Sequence, residues 1–252
     1  MRRFFLWQLP LAIALLATVI FGAGFYSFLR GDIGTPVASV TSPIKAAAPA
    51  SKIAPLILGD SLAHGQGDDT GLGIGGRLVD ELKKSHRNVQ GTVNLAVNGA
   101  FAKDLEAQLE SRNVQTIIAQ SNVIVISIGG NDLWSGANGL RRAPRNNPEK
   151  VMGETLDSVD RIVKKVRAAN PRARIFLVGL YNPFVSAPFG SMLSVLVSEW
   201  NAMEIKRFAN DTNVTVVQTS DLFSHRSRLS LDNFHPDDEG YALIARRIAE
   251  SL

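Results

Sequence analysis

Five short apolar runs, residues 53–58, 89–95, 123–128, 174–178 and 214–217, alternate with longer stretches of helical pattern, among them 151–169, 192–209 and 237–250. Strands separated by helices are joined by crossovers, and crossovers make neighbouring strands parallel. A parallel sheet must have both faces covered, so the expected fold is α/β: a three-layer α/β/α sandwich with a five-stranded parallel sheet. Residues 53–252 are enough for one domain with a full core, and no repeat of fixed period is present.

The polar residues that could carry chemistry stand where the strands end. The first run stops at Gly59-Asp60-Ser61-Leu62, and an Asp-x-x-His pair, Asp232-Asn233-Phe234-His235, lies near the C-terminus. A serine hydroxyl is a poor nucleophile near neutral pH. It needs an imidazole base, and the base needs a carboxylate to hold its tautomer and stabilise the imidazolium. Ser61, His235 and Asp232 supply the three types, with Ser61 at the mouth of the sheet where open α/β folds place ligands. Acyl transfer also needs donors aimed at the oxyanion of the tetrahedral intermediate. Residues 93–97 lead into Asn98-Gly99-Ala100, where a glycine lets its N–H approach substrate closely, and 123–128 end in Gly129-Gly130-Asn131-Asp132. The Gly99 N–H, the Asn131 amide and the Ser61 N–H are the candidate donors. Asp60 and Asp132 are expected to fix these turns by accepting backbone N–H bonds. Each turn alone is ordinary; their joint order on strand ends is the signal.

Ser61, Gly99, Asn131 and His235, each in its local block and in this order, resemble the SGNH/GDSL hydrolase family across nearly all of residues 53–252. The block Gly59-Asp60-Ser61-Leu62-Ala63-His64-Gly65 keeps a glycine after the serine, and Asp232 to Tyr241 keeps an Asp-x-x-His-Pro-x-x-x-Gly-Tyr course. The resemblance implies a flavodoxin-like sandwich and no cofactor. It implies Ser61 as nucleophile, His235 as general base with Asp232 as its partner, and an oxyanion hole of Ser61, Gly99 and Asn131. Trp134 and the basic stretch Arg141-Arg142-Ala143-Pro144-Arg145 fall outside the family pattern.

Rival motifs are weaker. Gly71-Leu72-Gly73-Ile74-Gly75-Gly76 matches G-x-G-x-x-G, but no strand directly precedes it and no acidic residue follows at the required distance. It reads as a glycine-rich entry to a helix through residues 77–82. The G-x-S-x-G elbow fails at Ser61 because Ala63 replaces the second glycine. No metal site is expected: cysteine is absent, H-E-x-x-H is absent, and His64, His86 and His225 are scattered. His64 is near enough to Ser61 to compete as base, yet no acid is placed to orient it. Five basic residues and one acidic residue precede residue 53, and removing them from the chain's 27 and 23 leaves the remainder balanced. A neutral domain gives no footprint for nucleic acid.

Residues 4–29 carry no charge and stand between Arg2-Arg3 and Arg30. A spanning helix takes about 20 apolar residues, whereas the apolar part of a cleavable signal has about 7 to 15. Residues 1–30 are therefore expected to form an uncleaved transmembrane anchor, its N-terminus cytoplasmic and the catalytic domain on the extracytoplasmic side of the cell membrane. The alternative is cleavage after the alanine-rich segment 46–50 and secretion. Residues 31–52, rich in Pro, Ala, Ser and Thr, read as a flexible linker.

The segment 181–190 follows the fourth strand and is apolar for a loop. Phe184 and Phe189, with Val185, Met192, Leu193 and Leu196, are candidates to line an acyl groove or touch a membrane; ordinary packing on the core is the competing explanation. The expected function is a serine esterase working through an acyl-enzyme on lipid or lysophospholipid esters. The alternatives are an O-acetylesterase on an envelope polysaccharide, and a membrane-tethered binding protein without turnover.

Overall fold

The computed structural model describes residues 2–30, 52–134, 148–224 and 228–252, with side chains for 11–27 in the first stretch. The chain divides into two compact units, Met1–Ala46 and Ala47–Leu252. The described part of the first is one helix, α1 (Arg2–Arg30), on which Leu11, Leu15, Phe21 and Phe25 are exposed. Among the described residues no helix is long and apolar enough to cross a membrane. The expected transmembrane helix is therefore not found there. The expected linker, apart from Lys52, and the alternative cleavage segment 46–50 lie outside the described residues.

The second unit has the order β1 (Pro55–Gly59), α2 (Ser61–His64), α3 (Gly73–Lys84), β2 (Val93–Asn94), α4 (Ala102–Gln108), α5 (Arg112–Gln120), β3 (Val123–Ser127), α6 (Gly130–Trp134), α7 (Pro148–Ala169), β4 (Arg174–Val178), α8 (Gly190–Phe208), β5 (Val214–Val217) and α9 (Asp238–Glu250). All strand pairs are parallel and the sheet order is β2-β1-β3-β4-β5, the flavodoxin-like order. Alternation along the strands builds two cores. Leu56, Leu58, Ile124, Ile126, Ile175 and Leu177 point to the side covered by α4, α5, α7 and α8. Ile57, Val123, Val125, Phe176 and Val178 point to the side covered by α3 and α9. Each such buried side chain contributes on the order of 1.5–3 kcal/mol, which ties the helices to both faces.

In this order the chain leaves β1 in one direction for β2 and returns past it to β3. The crevice beyond the C-terminal ends of β1 and β3 is the switch point where doubly wound sheets bind ligands. Strand β1 ends at Gly59, with φ +134°, and a Cβ there would come within 1.8 Å of the Ser127 carbonyl oxygen. Only glycine lets β1 and β3 finish this close together. The second strand is shorter than the pattern suggested: only Val93–Asn94 pair as strand, with a separate bridge between Ile53 and Val89. It is an edge strand with Gly91 in its path, and the Asn94 side chain turns to the Ala63 carbonyl, 3.0 Å away.

Candidate active site

Asp60 caps α2, its Oδ1 accepting the Leu62 N–H at 3.1 Å, so the chain turns sharply off β1 and presents Ser61 as the first helical residue. The Ser61 Oγ lies 2.8 Å from His235 Nε2, and His235 Nδ1 lies 2.7 Å from Asp232 Oδ2. An ionised carboxylate can only accept, so the imidazole proton belongs on Nδ1, and Nε2 is left to accept the serine hydroxyl. Burial pushes the Asp232 carboxyl upward, but hydrogen bonds from the His235 ring, the Ser230 hydroxyl and two backbone N–H groups outweigh it and hold the carboxyl down at about 2. It is the anion such a relay requires.

The turn that carries His235 is locally knotted by hydrogen bonds. Asp232 Oδ1 accepts from Ser230 Oγ, Phe234 N and His235 N at 2.7, 2.8 and 2.9 Å. Asn233 takes φ +56°, a left-handed conformation that asparagine tolerates better than most residues. Leu229 bridges Pro236, and the Ser230 N–H donates to the His235 carbonyl at 2.8 Å. One bond comes from a distant element: the buried Tyr181 hydroxyl donates to the Phe234 carbonyl at 2.6 Å.

On the donor side, Gly99 has φ +78°, and its N–H meets no acceptor among the described residues. Asn131 Nδ2 donates one hydrogen to the Ala100 carbonyl at 2.9 Å and keeps its second. Asp132, half-buried, accepts the Ala102 N–H through Oδ2 at 2.9 Å, and so reaches the Gly99 segment. Burial, helped by the nearby Asp132, raises the Asp60 carboxyl to about 7.

A cavity of about 40 Å³ opens beside Ser61, Asn131 and His235, walled by Leu62, Trp134, Leu180, Tyr181, Pro183 and Phe234. Gly99 is not among the residues that line it. Neither Phe184 nor Phe189 walls it. Phe184 packs on the larger core, and Phe189 stands 42% exposed. The two nonetheless join the site through ring contacts: Phe189 to Phe184 at 6.2 Å, Phe184 to Phe234 at 5.8 Å, and Phe234 edge-on to His235 at 4.9 Å. Of the walls, Tyr181 and Pro183 come soon after β4, and Trp134 stands about one helical turn after Asn131; sequence reasoning did not single them out as walls. His64 is exposed and takes no part in the relay. His225 and the basic stretch 141–145 lie outside the described residues. Among the described residues no group of three or more His, Cys, Asp or Glu could hold a metal ion.

Residues 57–243 match the model of the GDSL-like lipase/acylhydrolase family. An uncharacterized protein of Bacillus subtilis is 30% identical over 205 residues, 77% of this chain and 79% of that protein. A lipase from a goat rumen metagenome superposes with a TM-score of 0.67 at 22% identity, covering 79% of this chain and 97% of the lipase. A family 3 carbohydrate esterase of Clostridium thermocellum superposes with a TM-score of 0.58 at 18% identity, over 79% of this chain and 94% of the esterase. At these identities the two structures speak for the fold alone.

Proposed function

The chain belongs to the GDSL-like lipase/acylhydrolase family, and we propose that it hydrolyses carboxylic esters through an acyl-enzyme on Ser61. The observation that carries this reading is the unbroken relay Ser61–His235–Asp232, at 2.8 and 2.7 Å. Ser61 Oγ attacks the ester carbonyl as its proton passes to His235 Nε2, and Asp232 stabilises the imidazolium. The oxyanion is met by the N–H groups of Ser61 and Gly99 and by the second Nδ2 hydrogen of Asn131. His235 then gives its proton to the departing alkoxide, leaving the acyl-enzyme. A water activated by the same imidazole releases the acid and restores the serine.

The finer reading is a lipid or lysophospholipid ester. It is supported by the aromatic run from Phe234 through Phe184 to Phe189 and by the exposed Met192 on the following helix, a shelf for an acyl chain. The uncharged residues 4–29 would anchor the domain at the membrane, with the catalytic unit extracytoplasmic. A second reading, an acetyl ester on a polysaccharide, is favoured by the cavity: about 40 Å³ has room for about three water-sized groups beside the nucleophile. Turnover of p-nitrophenyl esters from acetyl to palmitoyl, by wild type and Ser61→Ala, tests both levels. We expect Ser61→Ala to lose nearly all turnover on every ester; substantial turnover with the fold intact overturns the serine mechanism. A rise from acetyl to octanoyl below the micellar range supports the lipid ester, and an acetyl optimum supports the polysaccharide reading.

A further inference from the structure

Two neighbouring side chains of α6 reach across to the segment after β2 and take hold of it at two points. Asn131 donates to the Ala100 carbonyl and Asp132 accepts the Ala102 N–H, both at 2.9 Å, on either side of Phe101. The bonds bridge sequence separations of 31 and 30 residues and join the two turns that would supply the oxyanion donors. Gly99 is one residue before this clamp, exposed, and in a left-handed conformation that its own side of the chain does little to enforce. Besides the clamp, the flanking backbone is held by the Val97 N–H to the Gly59 carbonyl at 2.9 Å, the Ala100 N–H to the Val97 carbonyl at 3.1 Å and the Phe101 N–H to Asp104 Oδ2 at 2.9 Å, and none of these bonds holds Gly99 itself.

We propose that Asp132 is a positioning residue for the oxyanion hole: its carboxylate clamps the Gly99 turn to the Asn131 turn and so fixes the direction of the Gly99 N–H. This rests on the esterase reading above. Ala102 is the first residue of α4, so its N–H has no partner within that helix, and Asp132 is its acceptor. Ala102 is also fully buried, so leaving its N–H without that acceptor is costly. Without the clamp the turn is free to rotate about Gly99. A donor displaced from the oxyanion position contributes little in the transition state, while substrate binding in the ground state is hardly touched.

The test compares full-length wild type, Asp132→Asn, Asp132→Ala and Ala102→Pro by hydrogen exchange of residues 97–104 and by hydrolysis of p-nitrophenyl acetate. Asparagine keeps an acceptor oxygen at the same reach, and is expected to retain protection and stay within about threefold of wild-type kcat. Asp132→Ala is expected to lose protection in the segment and roughly 10- to 100-fold in kcat, with KM within about twofold. Ala102→Pro removes the donor instead of the acceptor, at a first helical position where proline is favoured and after a residue, Phe101, whose ψ of 165° already suits it. It should reproduce the kcat loss even if Asp132→Ala does not fold. The proposal is overturned if protection and kcat are unchanged in Asp132→Ala or Ala102→Pro, if KM rises as steeply as kcat falls, or if Asp132→Asn is as impaired as Asp132→Ala. Wild type inert toward every ester would defeat the esterase reading, and the exchange comparison would still decide whether the clamp exists.

Discussion

The two sides of the candidate site are held in place by opposite means. On the oxyanion side, Ser61, Gly99 and Asn131 come from three strand ends far apart in sequence, and they are fixed by buried backbone and long-range bonds: Asp60 N–H to the Ser127 carbonyl, Asn131 to Ala100, Asp132 to Ala102. The acid–base turn is local. Most of the bonds that shape it among the described residues run between residues 228 and 237, in a half-exposed segment, and Tyr181 and Ser61 reach in from outside. The two carboxyls beside the serine and the histidine are also driven apart: burial carries Asp60 up to about 7, whereas at Asp232 hydrogen bonds outweigh burial and hold it down at about 2. A long-range scaffold fixes the nucleophile and donors as the sheet folds, whereas the base is set by a short motif that needs little from the rest of the chain.

The largest expected effect treats the sides as one machine. His235→Ala should cost on the order of 10⁴-fold or more in kcat, as large as the loss in Ser61→Ala, and the double variant should be little worse, because a triad acts as a unit. Additive losses would mean that the two sides work independently. Next, Asn131→Ala removes one oxyanion donor and should cost on the order of 100- to 1000-fold in kcat. It also releases the Ala100 carbonyl, so exchange in residues 99–102 should quicken while residues 228–237 stay as protected as before; quickening in both would erase the distinction.

A smaller effect probes the local side. At φ +56°, Asn233→Ala should cost about 1 kcal/mol in stability and lower turnover, while Asn233→Gly should be nearly neutral in stability. Equal behaviour of the two, by chemical denaturation, would show that the turn is not held by that backbone conformation.

In pH dependence the sides should differ in sign. Asp60 is raised above its unfolded value, so the native state holds a proton that the unfolded chain has lost, and stability falls as pH rises from about 4 to 7, by about 1.4 kcal/mol per pH unit at most. Asp60→Asn keeps the cap oxygen and should remove that slope, leaving pH 4 stability unchanged and pH 8 stability higher. Glu204, buried with no partner for Oε2 and carried up to about 8, acts in the same direction. Asp232 is depressed: its contribution is present above about 4 and is lost as pH falls through about 2. Denaturant midpoints across pH 2 to 9 would read both.

The same contrast explains what could be read in the chain. The Asp232–His235 pair is a motif of four adjacent residues, and the serine, glycine and asparagine each follow a strand whose apolar run is plain, as in 123–128. The alternation of apolar runs with helical stretches identified the parallel sheet, because crossover helices must cover both of its faces. The edge strand was overextended because its residues 89–95 are half-exposed, so apolar pattern and pairing part company there. Helices α4 and α5 are short and were not distinguished from their connections. Cavity walls such as Leu180 and Trp134 look like core in sequence; only tertiary packing turns them toward Ser61. Phe184 and Phe189 were visible as apolar loop residues, but their distance from the cavity depends on how residues 181–190 fold back, closed by Asn182 onto the Gly190 carbonyl at 2.8 Å.

The most direct test of the account is covalent labelling of the full-length protein with a fluorophosphonate, followed by mapping of the modified peptide. A serine with a neutral Nε2 at 2.8 Å should react quickly and place the adduct on Ser61, and His235→Ala should slow labelling by orders of magnitude. No adduct, an adduct on another residue, or undiminished labelling in His235→Ala would contradict the claim that the two sides meet in an activated serine.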